Sequence, residues 1–170
     1  MNKSKSFLMR LAGAALALCA LQAQAQQDAP RPPLVLERTP EVWLNAGMLS
    51  YHFDRDKHYR EFNYGIGAEA FFTPEHGAIV GTYKNSESHQ SKYLGYEFRP
   101  WHWQPGGVNV HAGFAAALLD GYPMMNKGGV FLAGFPFVAV EGKTVGANFI
   151  LIPNVKHGGA LAMQLKLKMW

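Results

Sequence analysis

Apolar and polar residues alternate with a period of two along most of the chain after residue 40. Between residues 60 and 72 the even positions read Phe62, Tyr64, Ile66, Ala68, Ala70 and Phe72, and the odd ones Glu61, Asn63, Gly65, Gly67 and Glu69. Successive side chains of a strand point to opposite faces, so this is a strand with one greasy face and one polar or tiny face. In 90–99, Leu94, Tyr96 and Phe98 oppose Tyr93, Gly95, Glu97 and Arg99; in 108–118, Val108, Val110, Ala112 and Phe114 oppose Asn109, His111, Gly113 and Ala115. The last segment, 161–169, sets Leu161, Met163, Leu165, Leu167 and Met169 against Ala162, Gln164, Lys166 and Lys168. Residues 42–53, 78–86, 130–140 and 144–152 complete a set of eight strands, and no helical stripe appears after the first 26 residues. Each is long enough to cross a bilayer when tilted, which takes about 9 to 11 residues.

The pattern by itself also admits a soluble, lipocalin-like barrel with its grease indoors and its polar face in water. The composition of the polar face favours the other arrangement. It holds Glu61, Glu69, Glu97, Arg99, Lys166 and Lys168, three acids and three bases, beside Asn109, Asn148 and Gln164. Buried charges are costly unless paired and hydrogen-bonded, and such a set compensates itself across a narrow lumen. The expected fold is all-β: an eight-stranded antiparallel up-and-down transmembrane β-barrel over residues 42–170.

Connector lengths orient this barrel, because bacterial ones have short periplasmic turns and longer outer loops. Residues 73–77, 99–107 and 141–144 are the expected inner connectors; 54–59, 84–90, 120–128 and 153–158 are the outer ones. Trp101, Trp103, Tyr51, Tyr59 and Tyr122 fall near strand ends, where interfacial aromatic girdles belong. The start of the chain supplies the address. Lys3, Lys5 and Arg10 precede an apolar run from Leu11 to Leu21 and then Ala23-Gln24-Ala25, so residues 1–25 read as a signal peptide and 26–41 as a Pro-rich lead. Those three bases carry most of the formal charge of +4, and the remainder of about +1 gives no reason to expect nucleic acid. The one cysteine, Cys19, leaves with the signal and takes with it any disulfide, thiolate nucleophile or cysteine metal site. No two of the seven histidines have the i, i+4 spacing of a helical zinc motif, and no cofactor is implied.

What remains for chemistry is the group that barrel order brings to the outer rim: His52, Asp54 and His58, then Asn85, Ser86 and His89, then Asp120 and His157. A serine with a histidine is the minimal acyl-transfer pair, defined by geometry rather than by sequence order. His111, on an inward face, reads as a hydrogen-bonded interior histidine, and Met124-Met125 as loop packing.

The strings SYHF (50–53), YREFNYGIG (59–67), YKNSESHQSKYLGYEF (83–98) and GFPFVAVEGKTVGANFILIPN (134–154), with the closing strand, resemble the outer-membrane lipid A palmitoyltransferase family. The resemblance spans residues 42–170. It implies an eight-stranded barrel that moves an acyl chain from a phospholipid to lipid A. It also implies that His52 acts as general base toward an acceptor hydroxyl or toward Ser86, that Ser86 and Asn85 donate to the developing oxyanion, and that Asp54 orients His52. The strand prolines Pro136 and Pro153 match the family and imply lateral lipid access between neighbouring strands; each could instead sit at a strand end where no hydrogen bond is needed. The chain departs from the family at Asn85, where the family carries an acid, and at Glu97, where it carries glycine. Asn45 and Asn63 replace a second pair of prolines, and the Pro-rich lead replaces an amphipathic helix.

The implied partners are membrane lipids, phospholipid and lipid A, and the barrel assembly machinery, which would read the terminal Trp170; a monomer in the outer membrane of a Gram-negative bacterium is expected. Glu97, Arg99, Tyr93 and Lys166 are expected inside the barrel. Two other functions stay open at this point: a non-enzymatic barrel that kept the scaffold, and a hydrolase that removes acyl chains from lipid A.

Overall fold

The computed structural model describes residues 40–153 and 159–170; the signal peptide, all but the end of the Pro-rich lead, and His157 lie outside the described residues. Eight strands follow one another: β1 (Glu41–His52), β2 (Phe62–Phe71), β3 (His76–Lys84), β4 (Gln90–Trp103), β5 (Asn109–Leu119), β6 (Phe131–Glu141), β7 (Val145–Ile152) and β8 (Ala160–Lys168). Each pairs antiparallel with the next, and β8 pairs with β1, so the sheet closes into a barrel. The only helical segments among the described residues are single 3-10 turns at Pro105–Gly107 and Asn126–Gly128. Closure removes the free edges that an open sheet would have to protect.

Most of the large apolar side chains face outward, while Trp43, Phe71 and Phe137 are buried inside. Phe62, Ile66, Leu94, Leu132 and Leu165 are between 57% and 73% exposed, a face compatible with contact to lipid. The lumen holds Glu41, Glu69, Glu97, Glu141, Arg99, Lys166, Asn45, Asn148 and Gln164, all buried. One member of the expected polar set differs. Glu61 lies outside the lumen, exposed before β2 and paired with Arg55. Glu41 and Glu141 take its place inside, because β1 starts one residue earlier and β6 ends one residue later than the alternation suggested.

These charges form one network near the end where β1 starts and β8 finishes. Lys166 Nζ stands 2.7 Å from both Glu69 Oε2 and Glu141 Oε1. Arg99 reaches Glu141 at 3.0 Å and Glu41 at 3.5 Å, donates from Nε to the Pro74 carbonyl at 2.8 Å, and lies over the Phe71 ring at 3.4 Å. His111 Nε2 is 3.3 Å from Glu141 Oε2, in line with its expected interior role. Asn45 and Asn148 both donate to Glu69 Oε1.

Two bulges steer what the alternation could not. In β1 the register slips between Asn45 and Met48 against β8, inserting one extra residue around Gly47. A side chain at Gly47 would collide with the backbone of Asn63, Tyr64 and Gly65, so only glycine fits there. The slip changes parity: Trp43 and Asn45 are buried before it and Ser50 after it, while Leu49, Tyr51 and Phe53 face outward. His52 therefore stands on the lumen side of β1. In β4 a slip between Phe98 and Trp101 lets the strand continue past Pro100 to Trp103, four residues beyond the expected end, because a bulge tolerates the missing proline donor.

Of the expected girdle aromatics, Tyr51 and Trp101 face outward. Tyr122 does not join them: it turns inward, its hydroxyl 2.8 Å from that of Tyr83. Tyr59 packs on His52 instead of facing out.

Candidate functional site

The connector from β1 to β2 and the end of β1 enclose an open cleft of about 400 Å³ lined by His52, Asp54, Arg55, His58, Tyr59 and Glu61. The His52 ring lies 4.8 Å from that of Tyr59, and its buried Nδ1 has no hydrogen-bond partner. Burial raises the Tyr59 hydroxyl above the usual phenol range, with Glu87 and Asp54 adding to the effect, so it stays a proton donor at neutral pH.

Asp54 shares this cleft but does not orient His52 through a hydrogen bond. Its Oδ1 accepts instead from the Asp56 amide at 3.2 Å, the short-range bond by which aspartate shapes its own turn. Ser86 is brought to the same rim from the neighbouring connector. Its carbonyl accepts from the Arg60 amide at 3.0 Å, beside Tyr59, although no hydrogen bond joins Ser86 to His52 among the described residues. His89 is exposed in the same connector, and Asp120 uses Oδ1 to receive the Lys92 amide at 2.6 Å.

Asn85 is fully buried, and all of its hydrogen-bonding capacity is spent inside the protein. Its amide nitrogen donates to Ser91 Oγ at 2.9 Å and to the Gly121 carbonyl at 2.7 Å, while Oδ1 accepts from the amides of Glu87 and His89 at 3.0 and 2.9 Å. No donor is left over for an oxyanion, so Asn85 holds the turn that presents Ser86. Asn85→Asp would replace both donors with a carboxylate facing a carbonyl; the expected result is a loss of about 1–3 kcal/mol of stability, read by urea unfolding.

Deeper in the lumen, on the same face of β1 as His52, Met48 opens a cavity of about 80 Å³. Ile79, Ala115, Ala117, Leu119, Phe135, Phe137, Ile150 and Ile152 make its wall mostly apolar, and Asn45, Glu69, Glu97, Asn148 and Gln164 line its other end. The four interior residues expected from the alternation are there: Glu97, Arg99 and Lys166 are buried and Tyr93 is half-buried against the cavity. Neither Arg99 nor Lys166 pairs with Glu97, since both are committed to Glu41, Glu69 and Glu141.

Beside this cavity the β6–β7 ladder ends early. Strand β6 pairs with β5 along its whole length, from Phe131 to Glu141, but with β7 only from Phe137 to Glu141. Pro136 is the first residue past the last pair, and Pro153 follows directly after β7. A proline has no amide hydrogen to offer a ladder, which accounts for the pairing ending here. Phe135 and Ile152, which face each other across the unpaired stretch, both line the cavity.

Fold and lumen together define a closed eight-stranded antiparallel β-barrel with an apolar exterior, a charged plug at one end and a partly apolar chamber at the other. No protein-family model matches the chain, and no curated protein matches it.

The alternation missed Glu41 and Glu141, although each shares parity with an inward neighbour, Trp43 and Ala139. It also missed Arg55 and Tyr59 as parts of the cleft, for which the sequence carries no signal beyond their nearness to His52.

Proposed function

We propose that this protein is an outer-membrane barrel of a Gram-negative bacterium that transfers an acyl chain from a phospholipid to lipid A at the cell surface. The observation that carries the reading is the early end of pairing between β6 and β7 beside a mostly apolar chamber. A lipid tail leaving a bilayer needs a route through the wall that keeps it out of water and an apolar space to receive it. In this reading Pro136 and Pro153 keep the portal open, residues 1–25 direct export, and the barrel works as a monomer after the assembly machinery reads Trp170.

His52 takes the proton of the lipid A hydroxyl, directly or through Ser86, as that oxygen attacks the phospholipid ester carbon. The Ser86 hydroxyl donates to the oxyanion; the old ester bond breaks, and the proton passes from His52 to the departing lysophospholipid oxygen. Asn85 is a positioning residue that holds the Ser86 turn, and Asp54 adds negative charge to the cleft around His52.

Mass spectrometry of lipid A from cells with and without the protein tests this. One added acyl chain is the expected result; one lost chain would make the protein a hydrolase, and no change a passive barrel. The membrane setting has its own check. Leu94 is outward and 60% exposed in mid-strand, so Leu94→Arg is expected to cost about 2–4 kcal/mol when unfolding is followed in lipid vesicles.

A further inference from the structure

We infer that the outer face of β2, β3 and β4, at the rim that carries His52 and Ser86, binds the phosphate groups of lipid A. This rests on the acyl-transfer reading and adds which side of the barrel receives the acceptor, and by what chemistry. Three bases stand there: Arg60 just before β2, Lys84 at the end of β3 and Lys92 near the start of β4. Tyr83 and Ser91 are buried inside the barrel, so strand parity turns their neighbours Lys84 and Lys92 outward. Lys84 pairs with Gln90 and Thr82 with Lys92, which makes the two lysines diagonal neighbours about 7–8 Å apart. The Arg60 amide donates to the Ser86 carbonyl at 3.0 Å, which sets Arg60 beside the end of β3. Its guanidinium lies over the outward Tyr64 ring, 4.8 Å from the centroid, and Nε donates to the Phe62 carbonyl at 2.6 Å, so the charge is held against the outer wall.

Among the described residues no acid is ion-paired with any of the three. Glu61, next to Arg60 in sequence, pairs with Arg55, and Asp120 spends Oδ1 on the Lys92 amide. Asp56 and Glu87 stand in connectors, off the strand face. Like charges set side by side repel one another, and an anion between them turns that repulsion into attraction. Anchoring at the membrane interface would call for bases all around the rim. The outward positions at the same end of β5 to β8 are instead Leu118, Leu132, Leu151 and Leu161, all exposed. The charge is confined to the side next to the proposed chemistry, since Lys84 lies two residues before Ser86 and Arg60 bonds the Ser86 carbonyl. Phosphate suits this set: arginine grips it with two N–H groups, lysine adds a point charge, and a barrel in a membrane meets it at headgroup depth. Lipid A carries its phosphates on its sugars, so holding them here brings the rest of the acceptor over the His52 cleft.

The test is binding of the refolded full-length mature barrel, in uncharged detergent micelles, to bisphosphorylated lipid A, to the same lipid with its phosphates removed, to phosphatidylglycerol and to inorganic phosphate. Bisphosphorylated lipid A is expected to bind about tenfold tighter than either of the other lipids, and to lose that preference as salt is raised. Arg60→Gln and the double variant Lys84→Gln/Lys92→Gln should each cut the preference severalfold, while Lys127→Gln, a base of the connector 120–128, leaves it unchanged. Equal binding with and without phosphates overturns the inference. So does equal binding of phosphatidylglycerol, which would make the face a general anionic-lipid surface, or displacement of lipid A by an equal concentration of inorganic phosphate, which would make it a free-phosphate site. An undiminished preference in both folded variants overturns it as well; should they fail to fold, the comparison of lipids on the wild type decides alone. The transfer reading is judged separately by the lipid A profile of cells carrying the wild type: no added chain there overturns that reading, whereas the phosphate preference is measured without any turnover.

Discussion

His52→Ala is expected to remove the added acyl chain from lipid A, with a fall in transfer rate of about 10²–10⁴-fold, the usual contribution of a positioned general base. The expectation follows from where the side chain stands. The bulge at Gly47 puts His52 on the lumen side of β1, four residues beyond Met48 of the cavity, in the cleft that Tyr59 and Glu61 complete. Nothing in the charge network leans on it, since its Nδ1 has no partner. The variant should therefore fold and insert as the wild type does, and the loss would be chemical rather than structural. Lipid A profiles of cells expressing equal amounts of folded barrel read the result; an unchanged profile removes His52 from the mechanism.

The second large effect is on stability. Lys166→Ala leaves Glu69 and Glu141 without the ammonium that stands 2.7 Å from each. A buried charge stripped of its partner costs about 3–5 kcal/mol, and Glu141 keeps Arg99 whereas Glu69 keeps only two amides. The double variant Lys166→Met/Glu69→Gln removes the stranded charge together with its partner, and Gln keeps an acceptor for Asn45 and Asn148. Urea unfolding in lipid vesicles should show the single variant markedly weakened and the double one recovering a large part of the loss. Equal destabilisation of both would mean that packing around Trp43, 4.9 Å from the ammonium, dominates instead.

Much of this barrel was legible before any coordinates. Alternation along 60–72 and 161–169 named the outward face of β2 and β8 residue by residue, and Glu97, Arg99, Tyr93 and Lys166 are inside as that parity required. The candidate site was less legible. His52 and Ser86 do reach the same rim, yet Asn85, expected to stabilise an oxyanion, is consumed by its turn, and Asp54 accepts from the Asp56 amide in its own turn. A residue type states what a side chain is able to do; only its neighbours state which of those capacities is already used.

The period-two pattern by itself determined the number of strands, their order and which side chains share a face, because a strand's geometry is local and repeats every two residues. Tertiary structure alone decided the rest. The slip at Gly47 that turns His52 inward, the way three carboxylates divide two cations among themselves, and the early end of pairing between β6 and β7 all depend on which strand lies alongside. Those relations are set only when the sheet closes on itself and residues far apart in sequence must share one register.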